Sequence, residues 1–516
     1  MMKLIYFFLL IASICINILA NAAPLENTKP LISSEIDSLM LAELEKEGIE
    51  PAEICSDEVF LRRAYVDITG QIPTWQQSTE FLKSTDANKR SKLIDKLLDS
   101  QEFVDYTAMY WCNILRVKSE FPINLWPNAV QAYHHWLTNA VENNMPYDEF
   151  ARELLTSSGS NFRVPQVNFY RAIQGKEPEN IASAVCLTFM GIRYDKQTQQ
   201  FRENIDKFFS RVAYKPTGEW KEEIVYFDQT IKDPIEAIFP DGKKITIETG
   251  QDPRVVFCNW LTSPDNKWFN RCIVNRIWAN LNGLGIIEPA DDICDKNKPS
   301  NPKLLSYLEQ ELVKNDYNIK AIYRLILNSN CWQRSSIAKS SNPKAETLFA
   351  QYNIRRLDAE TLSDAICYLS GTEHDYSSMV PEPYTFIPGY HKTTQLADGS
   401  ITSQFLEMFG RPSRDTGKLS ERNDTPTNSQ LLHLLNSTEI HSQVKNSEIL
   451  SNIVKMTKSN KQMIERVYVL VLARYPTDEE LTIVTNYIKQ QKLWRKKAAE
   501  DIMWALINTK EFLYRH

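Results

Sequence analysis

The sequence predicts a mainly α-helical protein: two helical domains, a small β-hairpin insert between them, and a duplicated helical unit near each end. Three observations carry that prediction. Apolar residues recur at helical spacing behind Ser, Thr and Asn caps. A single mid-chain region favours strands. One string of residues near the start reappears near the end.

The helices are announced by their ends. Ser56 precedes Asp57 and Glu58 and an apolar series at Phe60, Leu61, Ala64, Tyr65 and Ile68, closed by Gly70, which predicts a capped helix with a glycine stop. Thr74 with Gln77, and Thr477 with Glu480, are capping-box pairs. Asn301-Pro302 opens a helix that places Leu304, Leu305, Leu308 and Leu312 on one face. Gly283 reads as a helix stop, and the Gly-, Pro-, Ser- and Thr-rich stretch from Gly371 to Asn428 as irregular.

Strand signals are confined to the middle. Ile224 to Phe227 is a short β-favouring run. Ala237 to Phe239, the turn Pro240-Asp241-Gly242, and Ile245 to Ile247 predict a hairpin. Residues 220–250 are thus expected to connect an N-terminal helical domain, 23–219, with a C-terminal one, 251–516.

The repeat pairs Arg63-Ala-Tyr65-Val, followed by Pro73-Thr74, with Arg466-Val-Tyr468-Val, followed by Pro476-Thr477, at the same spacing. Each copy continues through a capped helix, a basic break and a second helix, and closes in Ser100-Gln-Glu102-Phe103 or Thr509-Lys-Glu511-Phe512. Proline stops one helix and threonine caps the next.

Residues 1–22 have the plan of a secretory signal: a positive start ending at Lys3, an apolar run from Leu4 to Leu19, and small residues at Ala20 and Ala22. The run is shorter than the roughly 20 residues of a spanning helix. Ile14 before Cys15 argues against lipid attachment. No later stretch approaches spanning length, so the expected location is periplasmic, cell-surface or extracellular. The net charge of −6 argues against a nucleic-acid binder. Past the signal, eight cysteines remain, an even number that permits disulfides in an exported chain. Cys112, Cys186 and Cys367 lie in helical apolar patterns, where buried free thiols are the plainer expectation.

At these same motifs the chain resembles an exported family, the paired domains of unknown function named for planctomycete cytochromes. The first domain is carried by Leu61 to Thr74 and Met145 to Leu155. The second is carried by Asp252-Pro-Arg254, Trp260 to Pro264, Arg271 to Trp278, Gly285 to Asp292, Arg356 to Glu360, Gly410-Arg-Pro412 and Trp504 to Phe512. The family's activity is not established. Many of its members carry a Cys-x-x-Cys-His haem motif near the end of the first domain. Here the corresponding stretch, Phe189 to Thr198, has none, and Cys186 upstream lacks a partner in sequence. No cofactor is expected.

Candidate site residues come from the polar clusters. Arg271, Asn275 and Arg276 share a helical face and suit pairing with Asp291 and Asp292, or capture of an anionic ligand. Arg356 with Glu360, and Arg411 in its Gly-Arg-Pro-Ser turn, complete the set. A ligand pocket is expected where Arg276, Asp291 and Arg411 converge. His134 and His135 point about 100° apart on a helix and do not chelate one metal. No metal site and no protease, hydrolase or P-loop string occurs. The abundant Trp and Tyr suit sugar stacking and helical cores alike. The expected function is an envelope assembly or binding protein, with a protein or polysaccharide partner. The alternative is a secreted polysaccharide-acting hydrolase or redox-associated protein.

Overall fold

A computed structural model describes residues 33–380 and 387–516, with the backbone of 26–27. The expected signal segment lies outside the described residues. The fold is mainly α, with small antiparallel sheets, as the caps and periodicity predict.

The first helices are α1 (Glu35–Lys46), α2 (Asp57–Thr69), α3 (Trp75–Lys83), α4 (Lys89–Leu98) and α5 (Gln101–Ile114). Ser56 accepts from the Val59 N–H to open α2, and Gly70 closes it at φ 64°. Thr74 and Gln77 form the reciprocal capping box that opens α3, and Ser100 caps α5. α6 (Pro127–Glu142) packs on α5, and α7 (Tyr147–Thr156) joins both through aromatic rings, Phe150 lying 4.9 Å from Trp111 and 5.1 Å from Trp136 between centroids. α8 (Pro178–Val185) and α9 (Gln199–Phe209) lead into the strands.

β1 (Gly159–Ser160) and β2 (Val212–Pro216) flank β3 (Glu223–Phe227) in one antiparallel sheet. β4 (Ile235–Ile238) and β5 (Lys244–Ile247) form the expected hairpin, with Ala237 opposite Ile245 and Gly242 at φ 87° in the turn. The sheet recruits Val212–Pro216, which no strand signal marked: Tyr214-Lys215-Pro216 alternates too weakly to stand out.

The chain then runs through α10 (Pro253–Leu261), α11 (Lys267–Asn282), α12 (Pro302–Lys314), α13 (Ile319–Leu327), the short strand β6 (Arg355–Arg356) and α14 (Ala359–Ser370). Asn301 caps α12, which buries Leu304, Leu305, Leu308 and Leu312 as its spacing requires. Gly283 stops α11 at φ 84°. Few residues between α14 and α15 (Asn428–Asn436) enter regular structure. Then follow α16 (Thr438–Lys445), α17 (Glu448–Met456), α18 (Asn460–Leu472), α19 (Asp478–Gln490) and α20 (Arg495–Ile507), and β7 (Tyr514–Arg515) pairs antiparallel with β6. Near this end α18 stops at Ala473 with φ 58°, Thr477 and Glu480 box the start of α19, and Thr509 caps the last short helix.

Apolar side chains gather in two large clusters. One takes residues from Ile36 to Tyr352, with Ala397 and Ala473. The other takes Leu357 to Leu513, with Val66 and Ile72. α2 feeds both: Phe60, Leu61 and Ala64 face the first and Val66 the second, so the helix is buried all round. Its charged residues survive burial because the backbone receives them. Arg63 donates to the carbonyls of Trp332 (2.7 Å), Arg334 (2.8 Å) and His516 (3.0 Å), and its guanidinium lies 3.7 Å from the Tyr352 ring centroid. Arg62 donates to the carbonyls of Val471 and Phe512. α18 also packs on α3, with Arg466 4.8 Å from the Trp75 ring centroid.

Cys112 and Cys186 are buried and Cys367 is half-buried; all eight cysteines of the described residues are free thiols. Among the described residues no helix is long and apolar enough to cross a membrane.

Candidate functional site

A cleft of about 470 Å³ opens beside the first cluster, against Tyr110, Ile114 and Leu419. Its walls come from α5, the turn after α8, the loop following α11, β6 with the start of α14, the strap 412–424, and Arg515.

One wall is a ladder of alternating charges. Arg515 donates to Asp67 at 3.0 Å and to Asp358 at 2.7 Å. Tyr106 donates its hydroxyl to the same Asp358 oxygen at 2.6 Å. Arg422 lies 3.8 Å from the other Asp358 oxygen and grips Glu360 through two bonds, at 2.7 and 3.1 Å. Arg411 lies 3.8 Å beyond, on Glu360. Burial works to raise the Asp358 carboxyl, but Arg422 and Arg515 outweigh it and hold it well below the ordinary carboxylate range. Gly70 lets this wall close: a Cβ there would collide with the Tyr106 ring.

The facing wall is built on α11. Asn275 is fully buried and clamps Ile287, donating to its carbonyl at 3.0 Å and accepting from its N–H at 2.9 Å. Arg276, also fully buried, donates to the carbonyls of Leu187 (2.6 Å) and Thr188 (2.5 Å) and to Asp291 at 2.9 Å. The other Asp291 oxygen accepts the Leu419 N–H at 2.6 Å, so one carboxylate ties α11 to the strap. Asp292 accepts from Lys196 at 2.6 Å. Glu288 accepts from the Gly285 N–H, while burial raises its carboxyl.

Other polar groups of the lining are held less tightly. Among the described residues the buried Tyr110 hydroxyl has no hydrogen-bond partner, and the Lys418 ammonium and the Asp424 carboxylate make no hydrogen bond or ion pair within 4 Å, although the charges of Arg422, Arg515 and Arg356 act on Asp424. The cleft therefore offers a hydroxyl, a cation and an anion against walls whose remaining charges are largely paired.

The sequence candidates divide across this geometry. Asp291 and Asp292 line the cleft, and Arg276 stands behind Asp291. Asn275 shapes the loop beneath them. Arg271 turns away to Glu309 at 2.8 Å. Arg356 donates to the carbonyls of Phe409 (2.6 Å) and Asn423 (2.9 Å), tying the far end of the strap to the chain just before it. Glu360 and Arg411 continue the ladder behind Arg422; Arg411 also donates to the Asp398 carbonyl at 3.4 Å, and the strap's contribution at that point is Pro412. Tyr106, Tyr110, Lys418, Arg422, Asp424 and Arg515 also line the cleft, and the sequence does not single them out. None stands in a local string, and only the charge density of Arg422 to Asp424 in a long irregular segment marks the region.

The stretch corresponding to the family's haem motif does not fit a covalently held haem. It forms the turn Tyr194–Lys196 at the cleft wall and contains neither cysteine nor histidine. Cys186 is sealed in the core, its thiol pushed up to about 12 by burial. His134 is half-buried and driven down to about 4, by burial first and then by Arg414, whereas its neighbour His135 is exposed. Among the described residues no three His, Cys, Asp or Glu side chains gather as a metal site would require.

Comparison with known families finds two matches in tandem. Residues 35–208 match the protein of unknown function DUF1549 (PSCyt2), and residues 253–488 match the protein of unknown function DUF1553 (PSD1). No curated protein and no solved structure matches the chain.

Proposed function

Because the chain belongs to the family that joins DUF1549 to DUF1553, we propose that it is an exported binding protein of the cell envelope whose cleft seats a short saccharide segment. The positive start, apolar run and small residues of 1–22 support export. The carrying observation is the cleft itself: about 470 Å³, the scale of a small-ligand site, with uncommitted donors and acceptors set among fixed ion pairs. Lining charges of both signs favour a neutral, hydroxyl-rich ligand over a strongly ionic one.

The test is calorimetric titration of the purified protein with envelope-derived oligosaccharides. Binding that weakens at least tenfold in both Lys418→Ala and Asp424→Asn supports the reading. Binding indifferent to both places the ligand elsewhere.

The rival hydrolase would need free carboxylates. Asp358 and Asp291 engage both their oxygens, leaving Asp424, Asp292 and Glu288 to supply acid and base. Turnover of a chromogenic glycoside, lost in Asp424→Asn, would promote that rival.

We also read the two ends as copies of one unit. Both run from a buried helix through a left-handed stop and a Pro-Thr capping box to further helices. A chimaera with Pro73–Lys83 in place of the capped segment at Pro476 should keep the native circular dichroism. Loss of fold there would remove the duplication reading.

A further inference from the structure

α14 carries Asp364 and Cys367 three residues apart, so both project from one helical face. The glycine stop at Gly371 turns the chain back, and His374 comes to lie between them. Its Nδ1 is 3.4 Å from Cys367 Sγ, and its Nε2 is 3.1 Å from Asp364 Oδ1. Ser363 Oγ also lies 3.3 Å from Nδ1. Asp364 is held in turn by the N–H groups of Thr393 (2.7 Å) and Thr394 (3.2 Å) and the Thr394 hydroxyl (3.0 Å). Tyr376 stacks on the imidazole with 5.2 Å between ring centroids, its own hydroxyl donating to the His391 carbonyl at 2.9 Å. The imidazole thus has a fixed plane, with a thiol at one nitrogen and a carboxylate at the other. That is the order of nucleophile, base and orienting acid.

The site is open. Cys367 is half-buried, and it lines a cavity of about 180 Å³, separate from the cleft described above. Among the described residues Glu373, Asp375 and Glu439 line that cavity and no Lys or Arg does. Gln443 adds a buried amide oxygen without a hydrogen-bond partner among the described residues. Acceptors and negative charge around a thiol favour a substrate that brings a cation.

We propose that Cys367, His374 and Asp364 form a nucleophilic thiol site that accepts the acyl group of a small cationic ester or thioester. His374 takes the thiol proton, and Asp364 stabilises the imidazolium. The sulfur attacks the carbonyl carbon, a C–S bond forms, and the bond to the leaving oxygen or sulfur breaks. The leaving group departs with the proton from His374. Water, giving a proton to His374, then attacks the acyl carbon; the C–S bond breaks, and the acid and the thiol are restored. Burial opposes the charged imidazole, but Asp364 and Cys367 outweigh it and hold His374 up at about 9.

The experiment uses the purified protein with two methanethiosulfonates, one trimethylammonium and one sulfonate, followed by intact mass and peptide mapping. The expected result is modification at Cys367, at least about tenfold faster with the cationic reagent, and absent in Cys367→Ser. His374→Gln should slow it about 100-fold, the scale of a lost general base, with partial rescue by added imidazole. Asp364→Asn should slow it with the far-UV spectrum unchanged. Acetylthiocholine should then leave one acetyl group on Cys367 and release thiocholine. Rates indifferent to His374→Gln and to reagent charge overturn the site. Fast thiol labelling without acetyl transfer overturns the acyl chemistry. Neither outcome touches saccharide binding in the other cleft.

Discussion

Arg515 donates to Asp67 at 3.0 Å, joining two side chains 448 positions apart in the sequence. The other Asp67 oxygen receives the Tyr352 hydroxyl at 2.9 Å and the Trp332 indole N–H at 3.2 Å. Arg515 passes the connection on to Asp358 and so to the cleft wall. Helix α2, the closing strand β7 and the start of α14 are thereby locked around one guanidinium.

Removing either partner should be costly, because the survivor stays buried and charged. Asp67→Asn and Arg515→Met should each lose about 3–5 kcal/mol of stability, read as the urea midpoint at constant slope. The Asp67→Asn/Arg515→Met double variant should lose clearly less than the two together. Single losses under about 1 kcal/mol, the value of an exposed pair, would count against the junction as the lock.

Asp358 predicts a response to acid. Its folded carboxyl is held below the ordinary value of 3.8. The stability it contributes is therefore complete above that ordinary value and fades as pH falls toward the folded one. Between about pH 4 and 2 the wild-type unfolding free energy should drop more steeply than that of Asp358→Asn. Parallel curves would show that Arg422 and Arg515 do not hold the group down.

Asp291 and Asp292 are neighbours with unequal expected costs. Asp291→Ala leaves Arg276 buried on two carbonyls and releases the Leu419 N–H, so a loss of about 3 kcal/mol is expected, with faster tryptic cleavage at Lys418. Asp292→Ala removes a pair whose lysine side chain is 55% exposed, and should cost less than about 1 kcal/mol. Equal losses would mean that the strap is not tethered through Asp291.

Gly70 and Gly48 make a controlled comparison. Both have left-handed φ, 64° and 65°, but a Cβ at Gly48 meets nothing within 4 Å, whereas one at Gly70 collides with Tyr106. Gly48→Ala should cost only the backbone penalty of about 1–2 kcal/mol for a side chain in the left-handed region. Gly70→Ala should cost a further 1–3 kcal/mol or so for overpacking, and weaken saccharide binding by displacing the cleft wall. Similar losses in both would place the whole effect in the backbone.

Neighbouring residues settle the local events on their own. Thr74 with Gln77, Thr477 with Glu480 and Asn301 before Pro302 start helices where their side chains find N–H groups three residues on. Pro240-Asp241-Gly242 turns the hairpin for the same local reason. The pairing of Arg276 with Asp291 was legible because a loop of modest length brings the end of its own helix back to it. Tertiary packing alone decided the rest. It sent Arg271 to Glu309, Arg422 to Glu360 and Arg515 to Asp67, and it placed His374 between Cys367 and Asp364. Periodicity states which face of a helix leaves water, but not which surface will cover it. A charge or an imidazole acquires its partner only when two such surfaces close to within about 4 Å.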